Sequence, residues 1–186
     1  LLKLELLLID RIISLLDKRS SNLRTLFKDY LEPLYTDMTQ IHLDYKRAFS
    51  EVELVLIDKE TFNSDVWPTL RNRERELLHL RLYVFYLAKE ITRQKSKQKE
   101  LQRMSQSILS YFTVITNPCE MVLPREEIAY KQFWYVGLLG IITMSSLDNY
   151  SREAALEMLR DMNSELDSKW EAVTAAFAEA KVSCLG

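Results

Sequence analysis

The sequence predicts an all-α protein, and three observations predict it. Three Gly and four Pro occur in 186 residues, where average usage would supply roughly twenty of the two together. The remaining composition, 47% hydrophobic and 28% charged, is rich in Leu, Glu, Lys and Arg, residues that lose little rotamer freedom in a helix. Apolar residues recur at alternating steps of three and four, the mark of one buried helical face. A sandwich or barrel would need a turn every ~8–12 residues, and a Gly-rich disordered chain is excluded by the same shortage.

Residues 1–17 are densely apolar, but Lys3, Glu5, Asp10 and Arg11 interrupt them. A bilayer span needs about twenty mostly apolar residues, so this segment reads as a covered helix. Ser20, Ser21 or Asn22 then serves as N-cap for the next helix. That helix carries the clearest period in the chain: Leu23, Phe27, Tyr30, Leu34, Met38, Ile41, Tyr45, Phe49, Val52 and Leu56. At about 1.5 Å per residue it would run on the order of 50 Å. Pro33 inside it should kink it, because the ring displaces one backbone hydrogen bond.

Residues 58–68 read as a loop, with Ser64 or Asp65 as cap. One helix should follow to about Thr92, with Leu77, Leu80, Val84, Ala88 and Ile91 inward. Residues 93–99 are polar all round, and the stripe resumes at Leu101, Met104, Ile108, Phe112 and Ile115. Thr116-Asn117-Pro118 stops that helix, and Pro124 with Glu126 and Glu127 looks like the first turn of another. From Phe133 to Ile142 every residue is apolar or Gly, about half the length of a bilayer span. That segment reads as a central bundle helix, with Gly137 and Gly140 admitting a close neighbour. The last helix carries Ala155, Leu159, Met162, Leu166, Trp170, Val173 and Phe177.

The expected architecture is an elongated antiparallel bundle of five to six helices, one of them long and kinked. It should be a single domain, 1–186, with 93–99 the one place for a subdivision. Leu1 rather than Met opens the chain, so the native N-terminus is expected further upstream.

Charge is unevenly placed. Residues 1–70 hold 9 basic and 12 acidic groups, 71–103 hold 10 and 4, and 104–186 hold 6 and 11. The middle segment is therefore +6 within a chain of net charge −2, and no global field draws nucleic acid or an anionic membrane. Placed on one continuous helix, Arg71, Arg75, His79, Tyr86 and Arg93 fall on a common face opposite the Leu77–Ile91 stripe. Guanidinium groups so aligned suit phosphates or an acidic partner. An acidic protein surface, such as the C-terminal region of a second copy, is the expected partner, ahead of nucleic acid.

Metal and cofactor chemistry find little footing. Glu76-x-x-His79 has the spacing of a di-iron bundle motif, but Thr39 stands three before the other histidine, His42, so no second copy exists. Cys119 and Cys184 share no metal-ligand or redox spacing, which favours a cytoplasmic setting and predicts no metal and no cofactor. With three Gly, phosphate-cradling loops are not available.

The stretch Arg71-Asn72-Arg73-Glu74-Arg75-Glu76-Leu77-Leu78-His79 resembles the motif of HEPN-type ribonucleases, an Arg, a polar residue and then a His. That resemblance implies an all-helical, generally dimeric protein in which Arg73 and His79 would cleave RNA without a metal. Arg73 has the family's spacing to His79 but is followed by Glu74; Arg71 precedes the more typical Asn72 but lies one residue too far upstream.

The leading expectation is a non-enzymatic interaction module: an adaptor or accessory subunit that binds a protein partner or itself, with no catalytic residue. The alternatives are a HEPN-like ribonuclease or RNA-binding bundle using the Arg71–His79 stretch, and the cytosolic domain of a membrane-anchored protein.

Overall fold

The structure, a computed structural model, describes residues 23–57, 66–93, 99–113, 134–146 and 151–186. Every described element is a helix, and the all-α class stands. Helix α1 is one bent run: an α-turn at Leu23–Leu26, a π-segment at Phe27–Leu31 and a long α-stretch at Glu32–Ile57. Helices α2 (Val66–Glu76), α3 (Leu78–Arg93), α4 (Lys99–Tyr111), α5 (Trp134–Ser145) and α6 (Arg152–Leu185) follow. The expected features at residues 1–22, at Ser64 and Asp65, and from Ile115 through Pro124 lie outside the described residues.

Pro33 has the predicted effect by a specific route. Its ring would strike the carbonyl of Asp29, and the wider π-segment spans that position. Phe27, Leu31, Leu34, Met38, Ile41 and Tyr45 are buried in even steps of four and three, and Leu31 takes the inward place expected of Tyr30.

The single helix predicted from after Pro68 to about Thr92 is two helices: the first starts within the expected loop, at Val66, and the run is interrupted at Leu77. No Gly or Pro marks the break. It falls where the chain leaves one compact unit for another, the boundary lying between Leu78 and His79. Tertiary packing overrides local propensity here.

The two units are each assembled from separate segments. The first takes residues up to 40, 79–111 and 169–186; the second takes 41–78 and 112–168. Helices α1 and α6 each contribute one half to either unit.

In the first unit, Phe27, Leu31 and Met38 of α1 join Val84, Ala88 and Ile91 of α3, Met104 and Ile108 of α4, and Val173 and Ala176 of α6 in the buried set. Tyr35 is stacked against Phe177 with centroids 4.0 Å apart, and against Trp170 at 5.6 Å. Stacked rings contribute about 0.5–1.5 kcal/mol beyond the area they bury. The Gln102 side chain donates to the Ile91 carbonyl at 3.2 Å, satisfying an orphan acceptor near the end of α3.

In the second unit, α5 is buried nearly all round, from Trp134 to Ile142, as a central helix must be. Tyr45 and Phe49 of α1 meet Tyr135 and Trp134 of α5 at 5.4 and 6.1 Å. Gly137 admits the Met162 side chain of α6 against the α5 backbone. Ser151 caps α6 by accepting the Ala154 N–H at 3.1 Å.

Candidate functional site

The predicted binding residues divide between the units. Arg71, Arg73 and Arg75 ride on α2 in the second, while His79, Tyr86 and Arg93 ride on α3 in the first. Within α2 the three arginines do different things. Arg71 lies over the Trp67 ring at 4.7 Å and pairs with Glu74 at 3.1 Å. Arg73 turns the other way and pairs with Glu51 of α1 at 2.7 Å. Arg75 is exposed and makes no ion pair among the described residues.

Within α3, His79 is exposed at the first turn and Tyr86 is 41% exposed, its ring edge-on to Phe85 at 5.6 Å. Arg93 is held by Glu90 through several hydrogen bonds, the shortest 2.6 Å, and these raise its already high pKa. Arg73 thus serves a helix–helix ion pair in one unit and His79 sits at a helix start in the other.

Sequence reasoning missed a polar cluster between α1 and α6. The Lys46 ammonium donates to Asn163 Oδ1 at 2.8 Å and to both Asp167 oxygens at 2.9 Å. One turn earlier, His42 is only 9% exposed. Burial pushes its pKa down to about 4, Asp167 pulls upward and Lys46 adds to the depression, so the imidazole is neutral near pH 7. Its partners on α6 could not be read, because they lie more than a hundred positions away. On the α5 side of α1, Tyr135 donates to Asp44 at 2.9 Å.

Beside this cluster, Phe49, Ser50, Glu53, Leu159, Arg160 and Asn163 line a depression of about 50 Å³. That is room for a few waters at most, far below the ~300 Å³ of a typical small-molecule site. Among the described residues, no group of three or more His, Cys, Asp or Glu is placed to hold a metal ion. No helix among them is long and apolar enough to cross a membrane.

No family model, no curated protein and no solved structure matches this chain.

A further exposed apolar feature is the outer face of α1. Leu43, Arg47, Ser50, Leu54 and Ile57 follow steps of four and three on the side opposite the core, and all are exposed. Leu43, Leu54 and Ile57 expose 53%, 66% and 58% of their surface. This second stripe was hidden in the sequence by the stronger inward one.

Proposed function

We propose that the chain is a non-enzymatic helical interaction module, an adaptor or accessory subunit that works by associating with a protein partner or with further copies of itself. The observation that carries this reading is the doubled apolar pattern of α1. One stripe builds the core, and Leu43, Leu54 and Ile57, with Arg47 and Ser50 between the two leucines, lie on a second line of positions that faces outward. Such an outward seam accepts the knobs of another helix. Single exposed leucines are ordinary on protein surfaces; three on one helix face, two of them one turn apart, favour a docking helix. A free thiol at Cys184, its pKa raised by burial and by Glu100, fits a reducing cytoplasmic setting.

The test compares the wild-type chain with Leu54→Glu and Ile57→Glu. Sizing with light scattering is run on purified protein and on freshly lysed cells of the source. The expected result is an assembly larger than one chain in at least one setting, lost in both variants with unchanged melting. Identical single-chain behaviour of all three proteins in both settings overturns the reading. Cleavage of single-stranded RNA by the wild type, lost in His79→Ala, would put the ribonuclease reading in its place.

A further inference from the structure

Two exposed stripes of opposite charge and equal pitch occur in the second unit. On α2, Trp67, Arg71 and Arg75 are spaced i, i+4, i+8 and all exposed. On α6, Glu153, Glu157 and Asp161 are spaced identically and all exposed. Trp67 is 43% exposed and carries the Arg71 guanidinium 4.7 Å over its ring, where Glu74 pairs with the same group at 3.1 Å. Aromatic and Arg side chains are the residues most enriched at the energetic centres of interfaces.

The positions of the stripes follow from contacts within the unit. Around α1, Glu51 faces α2, Tyr45 and Phe49 face α5, and Lys46 and Ser50 face α6. The directions to α2 and α6 are roughly 140° apart across the outer face of α1, and α5 lies in the wider arc on the inner side. The two helices therefore border the outer face of α1 from either side. On α6 the acidic trio points away from the buried line Ala155–Leu159–Met162.

We infer that the α2 stripe of one copy docks on the α6 stripe of a second copy, head to tail. Charge complementarity selects this occupant. A symmetric contact of α2 with α2 would set Arg71 and Arg75 against themselves, whereas the matching acidic ladder stands on the same chain. The contact joins two different surfaces of the chain and is therefore heterologous in kind. Trp67 supplies the desolvated anchor, and the surrounding ion pairs are exposed, each worth under about 1 kcal/mol and screened by salt. The association is accordingly weak and salt-labile. It rests on the reading that the chain works by association, but it uses surfaces separate from the outer face of α1.

The test is a reciprocal charge swap followed by sedimentation velocity over a concentration series. The wild type should grow in mean mass with concentration and shrink to one chain in roughly 0.5 M salt. Arg71→Glu/Arg75→Glu and Glu153→Lys/Glu157→Lys should each weaken growth at least tenfold, with unchanged melting. Mixing the two variants, or joining all four changes in one chain, should restore it. Trp67→Ala should abolish it without altering net charge. Absence of growth in the wild type, or of restoration in the mixture, overturns the inference. Salt-sensitive binding of a poly-U oligonucleotide lost only in the arginine variant, without restoration, overturns it in favour of phosphate recognition. If Leu54→Glu dissolves an assembly that the swaps leave intact, the interaction-module reading stands and this contact falls.

Discussion

Gly137 lies against the thioether of Met162: a Cβ built at Gly137 would stand 3.2 Å from Sδ, with the Met162 methyl closer still. The close approach of α5 and α6 is thus set by one missing methyl group. Gly137→Ala gains about 1 kcal/mol of helix propensity but forces the flexible end of a buried Met to move. The two effects nearly cancel, and denaturant unfolding should place the variant within about 1 kcal/mol of wild type. Gly137→Leu cannot be absorbed by that movement and should cost about 3 kcal/mol or more, above the usual range for an overpacked core.

The Tyr135–Asp44 bond gives a second expectation. Tyr135 is fully buried and its hydroxyl donates to a carboxylate at 2.9 Å. Hydrogen bonds to charged acceptors contribute about 1.5–3 kcal/mol. Tyr135→Phe should destabilise by that amount, measured as a lower urea midpoint at unchanged slope. A loss under 0.5 kcal/mol would mean that water replaces the hydroxyl without penalty.

His42 predicts a pH dependence with a definite sign. Burial holds its pKa at about 4, below the ordinary histidine value of 6.5, so between these limits the unfolded chain binds a proton that the folded chain refuses. Stability contributed by the neutral imidazole is fully present above pH 6.5 and falls as pH drops toward 4, with a slope of at most about 1.4 kcal/mol per pH unit. His42→Leu should flatten that part of the stability–pH curve. An unchanged slope in the variant would assign it to carboxylates whose pKa falls on folding; Asp37 is not one of these, because burial raises its pKa and makes its contribution grow as pH drops.

The two stripes of α1 should respond oppositely to the same kind of change. Inward, Ile41 and Val52 are fully buried, and truncation to Ala should cost about 2–4 kcal/mol at Ile41 and less at the smaller Val52. Outward, Leu43, Leu54 and Ile57 are more than half exposed, and replacement by Gln should stay within about 0.5 kcal/mol. Thermal melts of the five variants check this directly. A large loss on the outward side of the isolated chain would show that the stripe is covered within one copy.

How much of this was legible beforehand depends on whether the cause was local. The inward residues from Leu34 to Leu56 were readable because helical period and burial share one geometry. The bend at Pro33 was readable because the ring acts on its own helix; the π-segment that absorbs it, and the exchange of Tyr30 for Leu31, were not. The break at Leu77 carries no local signal and arises where the chain passes from one core to the other. The basic character of residues 71–93 was visible, but the assignment of Arg73 to Glu51, and of Arg71 to Trp67 and Glu74, required the fold. The Lys46–Asp167 bridge spans 121 positions, and neither residue advertises the other.

Helices α1 and α6 pass unbroken through residues 40–41 and 168–169, where the two units divide. Each core is therefore stitched from stretches that alternate along the chain, as the Tyr35–Thr174 contact across 139 positions illustrates. No contiguous fragment contains one core without part of the other, so no protease cut or gene truncation can release a complete unit. The backbone hydrogen bonds of both long helices straddle the divide, and melting one side frays the ladder that the other depends on. Hydrogen exchange should accordingly find one cooperative opening along α1 and α6 rather than two. Two packing centres are thereby held to a single fate.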